Sequence, residues 1–291
     1  MKYAIFSFNG LIFLLVGTLF GQLAWAESAT GLIFEDTFKR GLGDHWKHSG
    51  NKHTKTIVDP QDPANGQLKF TLDRLKDKVP FRSELVIKKP RRIFRFGQDH
   101  WIGVRIFLPD DWEVSQYIDI LLQWHSVPDT HLGESWKNGL NPPLALFVNG
   151  ERWRLTSLWD ANRITQKRKY SGSNRYDLGP IARGQWTDWV IRVTWSYTPG
   201  KGILEVWRDG KQVVSQPGPN TFNDRKPPYL KLGIYKPAWN PKNKWAEPTL
   251  ASRTVYFSNL RIAGSDGSYE TVAPAGGARP PMARHDVKTG P

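Results

Sequence analysis

Short stretches of alternating apolar and polar residues, separated by turn-forming residues, run along most of this chain. Leu144, Leu146 and Val148 share one parity and are followed by the turn pair Asn149 and Gly150. Alternation with a period of two is typical of half-buried β-strands, and Asn-Gly is a hairpin turn. The pattern extends from about residue 30 to 263, without a helical pattern longer than a turn or two. It predicts an all-β fold, most simply a two-sheet jelly roll (a concanavalin-like sandwich) with a concave groove.

The composition supports this fold class and excludes several chemistries. The 291 residues include 26 Gly, 21 Pro and 14 Trp but only 2 Met, which favours turns and aromatic surfaces over a helix bundle. There is no Cys, so disulfides, zinc–thiolate sites and thiol nucleophiles are excluded. The 41 basic and 27 acidic residues give a formal net charge of +14, which predicts an acidic partner.

The N-terminus predicts export. Lys2 precedes an apolar stretch over residues 11–23, and Ala24-Trp25-Ala26 places small residues at the two positions that a signal peptidase recognises. We therefore expect a signal peptide over residues 1–26 and a secreted or periplasmic protein. An uncleaved membrane anchor is the alternative, although the apolar stretch is short for a span.

The compartment narrows the choice of partner. An exported basic protein rarely meets nucleic acid, so we expect an acidic polysaccharide, no nucleic acid, no membrane contact after cleavage, and a monomer. The β-structure over residues 30–263 is expected to form one domain. Residues 264–291 are rich in Gly, Ala and Pro, and we expect them to form a disordered tail.

Basic side chains concentrate in two segments, residues 74–95 and 152–175, and the second also contains Trp153, Trp159 and Tyr170, with Tyr176 directly after it. Most of these charges are consistent with ordinary solvated strand faces. Arg together with aromatic rings nevertheless suits a carboxylated sugar, because a guanidinium binds a carboxylate through two hydrogen bonds while a ring packs on the apolar sugar face. Arg154 is accordingly a candidate substrate-binding residue.

Four strand segments each place polar side chains on one face and apolar side chains on the other. The polar faces carry Arg82 and Glu84; Gln123 and His125; Tyr229, Lys231 and Tyr235; and Trp101 and Arg105. Gly233 lies between Lys231 and Tyr235, where we expect it to leave a gap for a sugar ring. Taken singly, each has a structural explanation: a hydrogen-bonded His, a same-face ion pair, or a packing Tyr.

Together these residue types match the elimination of a uronic acid. Abstraction of the C5 proton is difficult beside a negative carboxylate, and Arg, Gln or Lys that neutralise the carboxylate make this proton more acidic. His or Tyr acts as the base, and Tyr returns a proton to the leaving oxygen at C4. We expect Glu84, Arg105, Trp101, Tyr229 and Arg154 to bind substrate.

The segments FRSEL, LLQWHS and YLKLGIYK resemble, in order and spacing, those of the jelly-roll polysaccharide lyases. The chain is most similar to heparin lyase I-like enzymes and glucuronan lyases, and more distantly to alginate lyases, over about Leu32 to Ile262. The resemblance implies that His125 and Tyr235 act as base and acid. It also implies that Gln123 and Arg82 neutralise or orient the carboxylate, and Lys231 matches the Lys four residues before the catalytic Tyr.

Two other functions share this architecture: a non-catalytic carbohydrate-binding protein and a glycoside hydrolase. Concanavalin-like hydrolases carry their carboxylates as ExDxxE, whereas the nearest segment here, Tyr117 to Leu122, contains Asp119 without a flanking Glu. We expect no cofactor to be required for the chemistry. In some relatives a structural Ca²⁺ lies near the first strand, where Glu35 or Asp36 would hold it; ordinary strand-end carboxylates are the alternative.

Overall fold

The computed structural model describes residues 31–58, 66–88, 90, 93–136, 141–166, 169–243 and 249–274. The predicted signal peptide and residues 275–291 lie outside these ranges. The described residues form strands β1 Leu32–Asp36, β2 Trp46–Gly50, β3 Thr54–Val58, β4 Gly66–Asp73, β5 Arg82–Ile87, β6 Asp99–Leu108, β7 Asp119–His125, β8 Leu144–Asn149, β9 Arg152–Trp159, β10 Gly172–Pro180, β11 Gln185–Thr194, β12 Ile203–Arg208, β13 Lys211–Pro217, β14 Tyr229–Tyr235 and β15 Ser252–Ala263, with helix α1 Tyr269–Val272.

The strands form two antiparallel sheets. The seven-stranded sheet has the order β10-β9-β8-β7-β14-β5-β2. The eight-stranded sheet has the order β13-β12-β11-β6-β15-β4-β3, and β1 also pairs with β15. Strands that are distant in the chain are neighbours in a sheet at several points, as with β5 beside β14, which is typical of a jelly roll. The predicted all-β, two-sheet jelly roll is confirmed.

One apolar core fills the space between the sheets. On β7 the side chains of Leu122 and Trp124 are fully buried, and on β14 those of Leu230 and Leu232 are buried. Gln123 and His125 therefore face away from the core, as the period of a strand requires, whereas an irregularity between Ile120 and Leu122 places Leu121 in the core as well. The sequence pattern predicted this alternation, and it is what places the polar side chains of β5, β7 and β14 together on the outer face of the seven-stranded sheet.

The start of the predicted disordered tail is folded, so that expectation is wrong for residues 264–274. Ser268 caps α1 by accepting a hydrogen bond from the backbone N–H of Thr271, and Tyr269 and Val272 are buried. A Cβ atom at Gly103 of β6 would lie 1.8 Å from the carbonyl oxygen of Val272, so glycine is needed for the helix to approach. The burial of Tyr269 and Val272 and the cap by Ser268 stabilise this segment, although its Gly- and Ala-rich composition favours disorder. Within the described ranges, no helix is long and apolar enough to cross a membrane.

Candidate functional site

A buried ionic network lies at the centre of the seven-stranded sheet, where β5, β14 and β7 are adjacent. Lys231 of β14 pairs with Gln123 of β7, and Gly233 pairs with Glu84 of β5. Glu84 Oε2 accepts a hydrogen bond of 2.5 Å from Lys231 Nζ, and Glu84 Oε1 accepts one from Gln123 Nε2. Arg82 Nε lies 3.1 Å from Glu84 Oε2. We call these four residues the Glu84 network.

The Glu84 network is buried yet electrostatically satisfied. Gln123, Glu84 and Lys231 are 1%, 2% and 3% exposed, whereas the Arg82 side chain keeps 29% of its surface in water. Buried charges are tolerated when each is paired and hydrogen-bonded. Burial lowers the pKa of Lys231; Glu84 opposes this, and the nearby positive charge of Arg82 adds to it. The network contains two cations, Lys231 and Arg82, and one carboxylate, so it has one excess positive charge. Arg82 is the cation whose side chain is partly exposed to solvent.

The register of the sheet arranges the outward side chains in rows across the strands. One row is formed by Arg154, Phe147, Ile120, Tyr235 and Arg82. The next row contains the small side chains of Thr156 and Ala145 beside Gln123 and Lys231. A third row begins with His125 paired to Tyr229. Small side chains between two rows of large ones give a trough across the strands, which we call the groove. Tyr235 and His125 lie on its opposite walls.

His125 is the last residue of β7 and is held in one tautomer. Its Nδ1 lies 3.0 Å from the carbonyl oxygen of Ser126, which only accepts hydrogen bonds, so Nδ1 carries the proton. The lone pair is then on Nε2. Burial lowers the pKa of His125, and the charges of Lys231 and Arg82 lower it further, whereas Glu84 opposes them. His125 is therefore a neutral imidazole near pH 7, the form that a general base requires.

Two tyrosines lie near the network in different environments. Tyr229 pairs with His125, and their ring centroids are 5.9 Å apart. Burial and the charge of Glu84 raise the pKa of Tyr229 to about 12, with Arg82 opposing. Tyr235 pairs with Arg82 and with Ile120, five residues from His125 along β7, a Cα separation of roughly 16 Å. The guanidinium of Arg82 lies 4.4 Å from the ring centroid of Tyr235.

Gly233 does not form the gap that we predicted for a sugar ring. Its φ of +135° is a conformation that side chains other than glycine rarely adopt, and the pairing of β14 with β7 shifts at this point. A Cβ atom here would lie 2.3 Å from the carbonyl oxygen of Ser83 and 3.0 Å from the core ring of Phe70. Gly233 is therefore needed for a β-bulge in the pairing with β7 and for the close approach of the β5 backbone, whereas the small side chains beside the network are those of Ala145 and Thr156.

The other predicted binding residues divide between the two sheets. Arg154 lies on the groove face, in the same row as Tyr235, and contacts Asp177 at 3.1 Å. Trp101 and Arg105 lie on β6 of the eight-stranded sheet, so they are not part of the groove. Trp101 stacks on Trp207 beside α1, and Arg105 pairs with Asp188 at 2.9 Å. Their parity was predicted correctly, but parity alone does not identify the sheet to which a strand belongs.

Sequence reasoning missed Trp136, which lies on the loop after β7. Its ring centroid is 5.4 Å from that of His125 and 6.3 Å from that of Tyr229. The available signal was a Trp eleven residues after the QxH histidine, in a segment without strand alternation. Phe147 and Ile120 on the opposite wall were missed because their apolar character suggested core positions.

The loop that carries Trp136 is held by buried carboxylates, which we call the carboxylate clasp: Asp129, Glu134 and Asp224. Glu134 accepts hydrogen bonds from the backbone N–H groups of Asp129 (2.7 Å) and Thr165 (2.6 Å). Asp129 accepts one of 2.6 Å from Arg163. Burial, together with the charges of Glu134 and Asp129, raises the pKa of Asp224 to about 8.

The carboxylates near the first strand are engaged with protein partners. Asp36 accepts hydrogen bonds of 2.7 Å from the Phe38 N–H, the His45 ring and the Trp46 indole. Glu35 pairs with Arg261 at 2.7 Å. Among the described residues, no three His, Asp or Glu side chains are grouped so as to hold a metal ion. Glu35 and Asp36 thus have the protein partners of ordinary strand-end carboxylates, calcium near the first strand stays a prediction, and no chemical step depends on it.

The geometry also bears on the hydrolase alternative. Asp119, the one acidic residue of the segment compared with ExDxxE, is buried and lies 3.1 Å from Lys236 and 3.2 Å from Arg253. Both carboxylate oxygens of Glu84 accept hydrogen bonds within the Glu84 network. Neither carboxylate is therefore available as one of the two carboxyl groups that glycoside hydrolysis uses.

Comparisons with known proteins agree with this fold. A family model described as polysaccharide lyase matches residues 38–261. Among solved structures, the endo-β-1,4-glucuronan lyase of the fungus Trichoderma reesei is 15% identical with a TM-score of 0.60, covering 84% of this chain and 95% of that one. The alginate lyase AlyC3 is 18% identical with a TM-score of 0.46, covering 74% and 79%. The botulinum neurotoxin DC binding domain, in complex with rat synaptotagmin II, is 9% identical with a TM-score of 0.50, covering 84% and 50%.

A search of curated proteins gave no match. The family model nevertheless spans most of the sandwich, from the residues after β1 to the last part of β15, and includes all of the Glu84 network, His125 and Tyr235. The chain belongs to the polysaccharide lyase family.

Proposed function

We propose that this protein is an exported lyase that cleaves a uronic-acid polysaccharide by β-elimination. The observation that carries the proposal is the groove itself. His125, whose Nε2 has no hydrogen-bond partner among the described residues, lies on one wall, Tyr235 and Arg82 lie on the other, and Gln123 and Lys231 lie between them. The glucuronan lyase named above acts on an acidic polysaccharide, which supports an acidic substrate. The net charge of +14 is in keeping with that choice.

The first step is carboxylate neutralisation. Arg82 is the cation of the network that reaches solvent, and its guanidinium is suited to a sugar carboxylate. Lys231 is bound to Glu84 and buried, so it acts by holding Glu84 and Gln123 in place and by adding positive potential. Glu84, predicted to bind substrate, becomes a positioning residue because it is enclosed by Gln123, Lys231 and Arg82.

The second step is proton transfer. His125 Nε2 takes the proton from C5 of the uronate, and the resulting negative charge spreads onto the carboxylate, where Arg82 and Gln123 stabilise it. The bond between C4 and its glycosidic oxygen then breaks while the C4–C5 double bond forms. Tyr235 donates its hydroxyl proton to the leaving oxygen. The products are a new reducing end and an unsaturated sugar at the new non-reducing end.

The test begins with the substrate. The purified protein is incubated with glucuronan, alginate, hyaluronan, heparin or heparan sulfate, and the ultraviolet absorbance of the conjugated double bond is followed. Absorbance that rises on a uronate polymer supports the proposal. Reducing ends that appear without ultraviolet absorbance would instead indicate a hydrolase, and binding without products a carbohydrate-binding protein.

The residue roles are tested with matched tyrosine variants. Tyr235→Phe and His125→Ala should each lower kcat by roughly 10²-fold or more, the usual range for an acid or base group. Tyr256→Phe is the control, since it removes a hydroxyl from a half-buried tyrosine on β15 of the eight-stranded sheet. If Tyr229→Phe instead loses activity while Tyr235→Phe keeps it, the proton donor is the tyrosine beside His125.

A further inference from the structure

The loop after β7 places a large aromatic side chain directly against the proposed base. We propose that Trp136 is a sugar-stacking residue of the groove, which packs on the uronate ring beside His125; this inference rests on the proposed function. The indole lies 5.4 Å from the His125 ring at a tilt of 41°, and 6.3 Å from the Tyr229 ring at a tilt of 74°. The three rings form one aromatic wall, opposite Tyr235 and Arg82.

Trp136 differs from the other aromatic side chains in its exposure to water. It is 53% exposed, and every other Phe, Tyr or Trp that the structure describes is buried or half-buried. Its contacts with His125 and Tyr229 bury part of the indole and leave the rest open at the edge of the groove. An apolar ring in that position is available to a ligand.

The position of Trp136 is fixed by hydrogen bonds of the buried residue Glu134 in the same loop. Glu134, two residues earlier, is 4% exposed, and each of its carboxylate oxygens accepts a backbone N–H, from Asp129 and from Thr165. The bond from Asp129 lies within the loop after β7, and the bond from Thr165 joins that loop to the loop after β9. An anchored loop loses less conformational entropy when a ligand binds. The indole is therefore already held in place beside His125 before a ligand arrives.

The side chains on the two walls of the groove indicate which class of ligand would bind there. A pyranose ring presents a face of C–H groups that packs on an indole, while its carboxylate needs a cation. Here the indole and the base lie on one wall, and the exposed cation Arg82 lies on the other. A uronate that stacks on Trp136 while its carboxylate faces Arg82 spans the groove, with the ring held beside His125 Nε2. Trp136 thus selects for an acidic sugar whose apolar ring face is unobstructed.

The kinetic test uses three variants. Trp136→Ala should raise KM on the preferred uronate polymer by about tenfold, equivalent to the loss of one aromatic stacking contact. Trp136→Phe should recover most of the loss, because a smaller ring still stacks. Trp186→Ala is the matched control, since Trp186 lies on β11 of the eight-stranded sheet and contacts Phe107; its KM should equal that of the wild type. Thermal melts confirm that all three variants fold.

A binding test separates this inference from the proposed reaction. Calorimetry with a uronate oligosaccharide is performed in the Tyr235→Phe background, with and without Trp136→Ala, and Kd should rise about tenfold. Unchanged Kd and KM would overturn the inference. A lower kcat with unchanged KM and Kd would also overturn it, because Trp136 would then only support His125. Failure of the wild type to form unsaturated product refutes the proposed reaction, while Kd still decides the role of Trp136.

Discussion

Two buried polar clusters, the Glu84 network and the carboxylate clasp, lie near His125 and the loop that follows it, and they are built in opposite ways. In the Glu84 network one carboxylate is shared by the cations Lys231 and Arg82 and by the amide of Gln123. In the carboxylate clasp three carboxylates face one cation, Arg163, whose side chain is 50% exposed. The carboxylates of both clusters are almost fully buried, so the difference is in charge balance rather than in access to water.

The difference has a direct electrostatic consequence. Both oxygens of Glu84 accept hydrogen bonds from buried donors. Oδ1 of Asp224 is buried without a hydrogen-bond partner among the described residues, and the pKa of Asp224 is raised to about 8. At neutral pH the first carboxylate is a counterion that holds cations under the groove. The second is a neutral acid that packs between loops. Burial of an acidic residue therefore does not by itself indicate what the residue does.

The largest effect is expected from Gly233→Val, which disturbs the backbone behind Glu84. Val at a φ of +135° is strained, and its Cβ atom would lie 2.7 Å from the Cα atom of Glu84. We expect no folded protein by far-ultraviolet circular dichroism. Gly150→Ala is the control, because Gly150 also has a positive φ (+62°) but a Cβ atom added there would have no neighbour within 4 Å; it should fold. A Gly233→Val protein with the wild-type melting temperature would contradict the bulge.

The next effect is expected from Glu84→Gln. The amide keeps the size of the side chain but leaves Lys231 buried without its counterion. Breaking a buried ion pair in this way costs about 3–5 kcal/mol in the free energy of unfolding. Urea unfolding would measure it, alongside kcat. The double variant Glu84→Gln with Lys231→Met should recover stability but not activity. If Glu84→Gln is as stable as the wild type, the carboxylate is not the counterion of the network.

The same carboxylate-to-amide change in the clasp should have the opposite sign. The pKa of Asp224 rises from 3.8 to about 8 on folding, so the folded state binds the extra proton across that interval. Binding of this proton stabilises the folded state in full below pH 3.8. As the pH rises toward 8 this stabilisation is lost, and the free energy of unfolding falls by at most about 1.4 kcal/mol per pH unit. Asp224→Asn should remove this slope and be more stable than the wild type at pH 7, since an uncharged amide beside Glu134 and Asp129 needs no proton uptake. Thermal melts of the wild type and the variant between pH 4 and 8 would measure this; parallel curves would contradict the assignment.

The contrast also shows what the sequence could reveal. Strand parity predicted the outward faces of Arg82, Glu84, Gln123, His125 and Lys231, because a period of two is a local property. It could not predict that β6 belongs to the other sheet, since pairing is set by contacts between distant segments; Trp101 and Arg105 lie apart from the other polar residues for this reason.

Loops were the other limit. Asp129, Glu134, Trp136 and Asp224 come from connections without periodicity, so nothing local indicated that the three carboxylates meet or that Trp136 lies beside His125. Gly233 was misinterpreted because a glycine in a strand is compatible with both an open gap and a bulge. Only the backbone dihedral and the pairing register distinguish these two cases.

The smallest effect that still separates the two clusters is a shift in the acid limb of the pH–rate profile. The base must be deprotonated, and burial together with Lys231 and Arg82 lowers the pKa of His125 below 6.5, so kcat/KM should remain high into mildly acidic conditions. Arg82→Gln removes one of these charges and should move the acid limb to higher pH, besides lowering the rate. Arg163→Gln, in the clasp, should leave the limb where it is, because Arg163 is paired with Asp129 at 2.6 Å, whereas Lys231 and Arg82 are the main cations that lower the pKa of His125. Profiles of kcat/KM for the three proteins would measure this. Equal shifts in both variants would mean that the overall charge of the protein sets the pKa of His125. The neighbouring cations of the Glu84 network would then have no specific effect on this pKa.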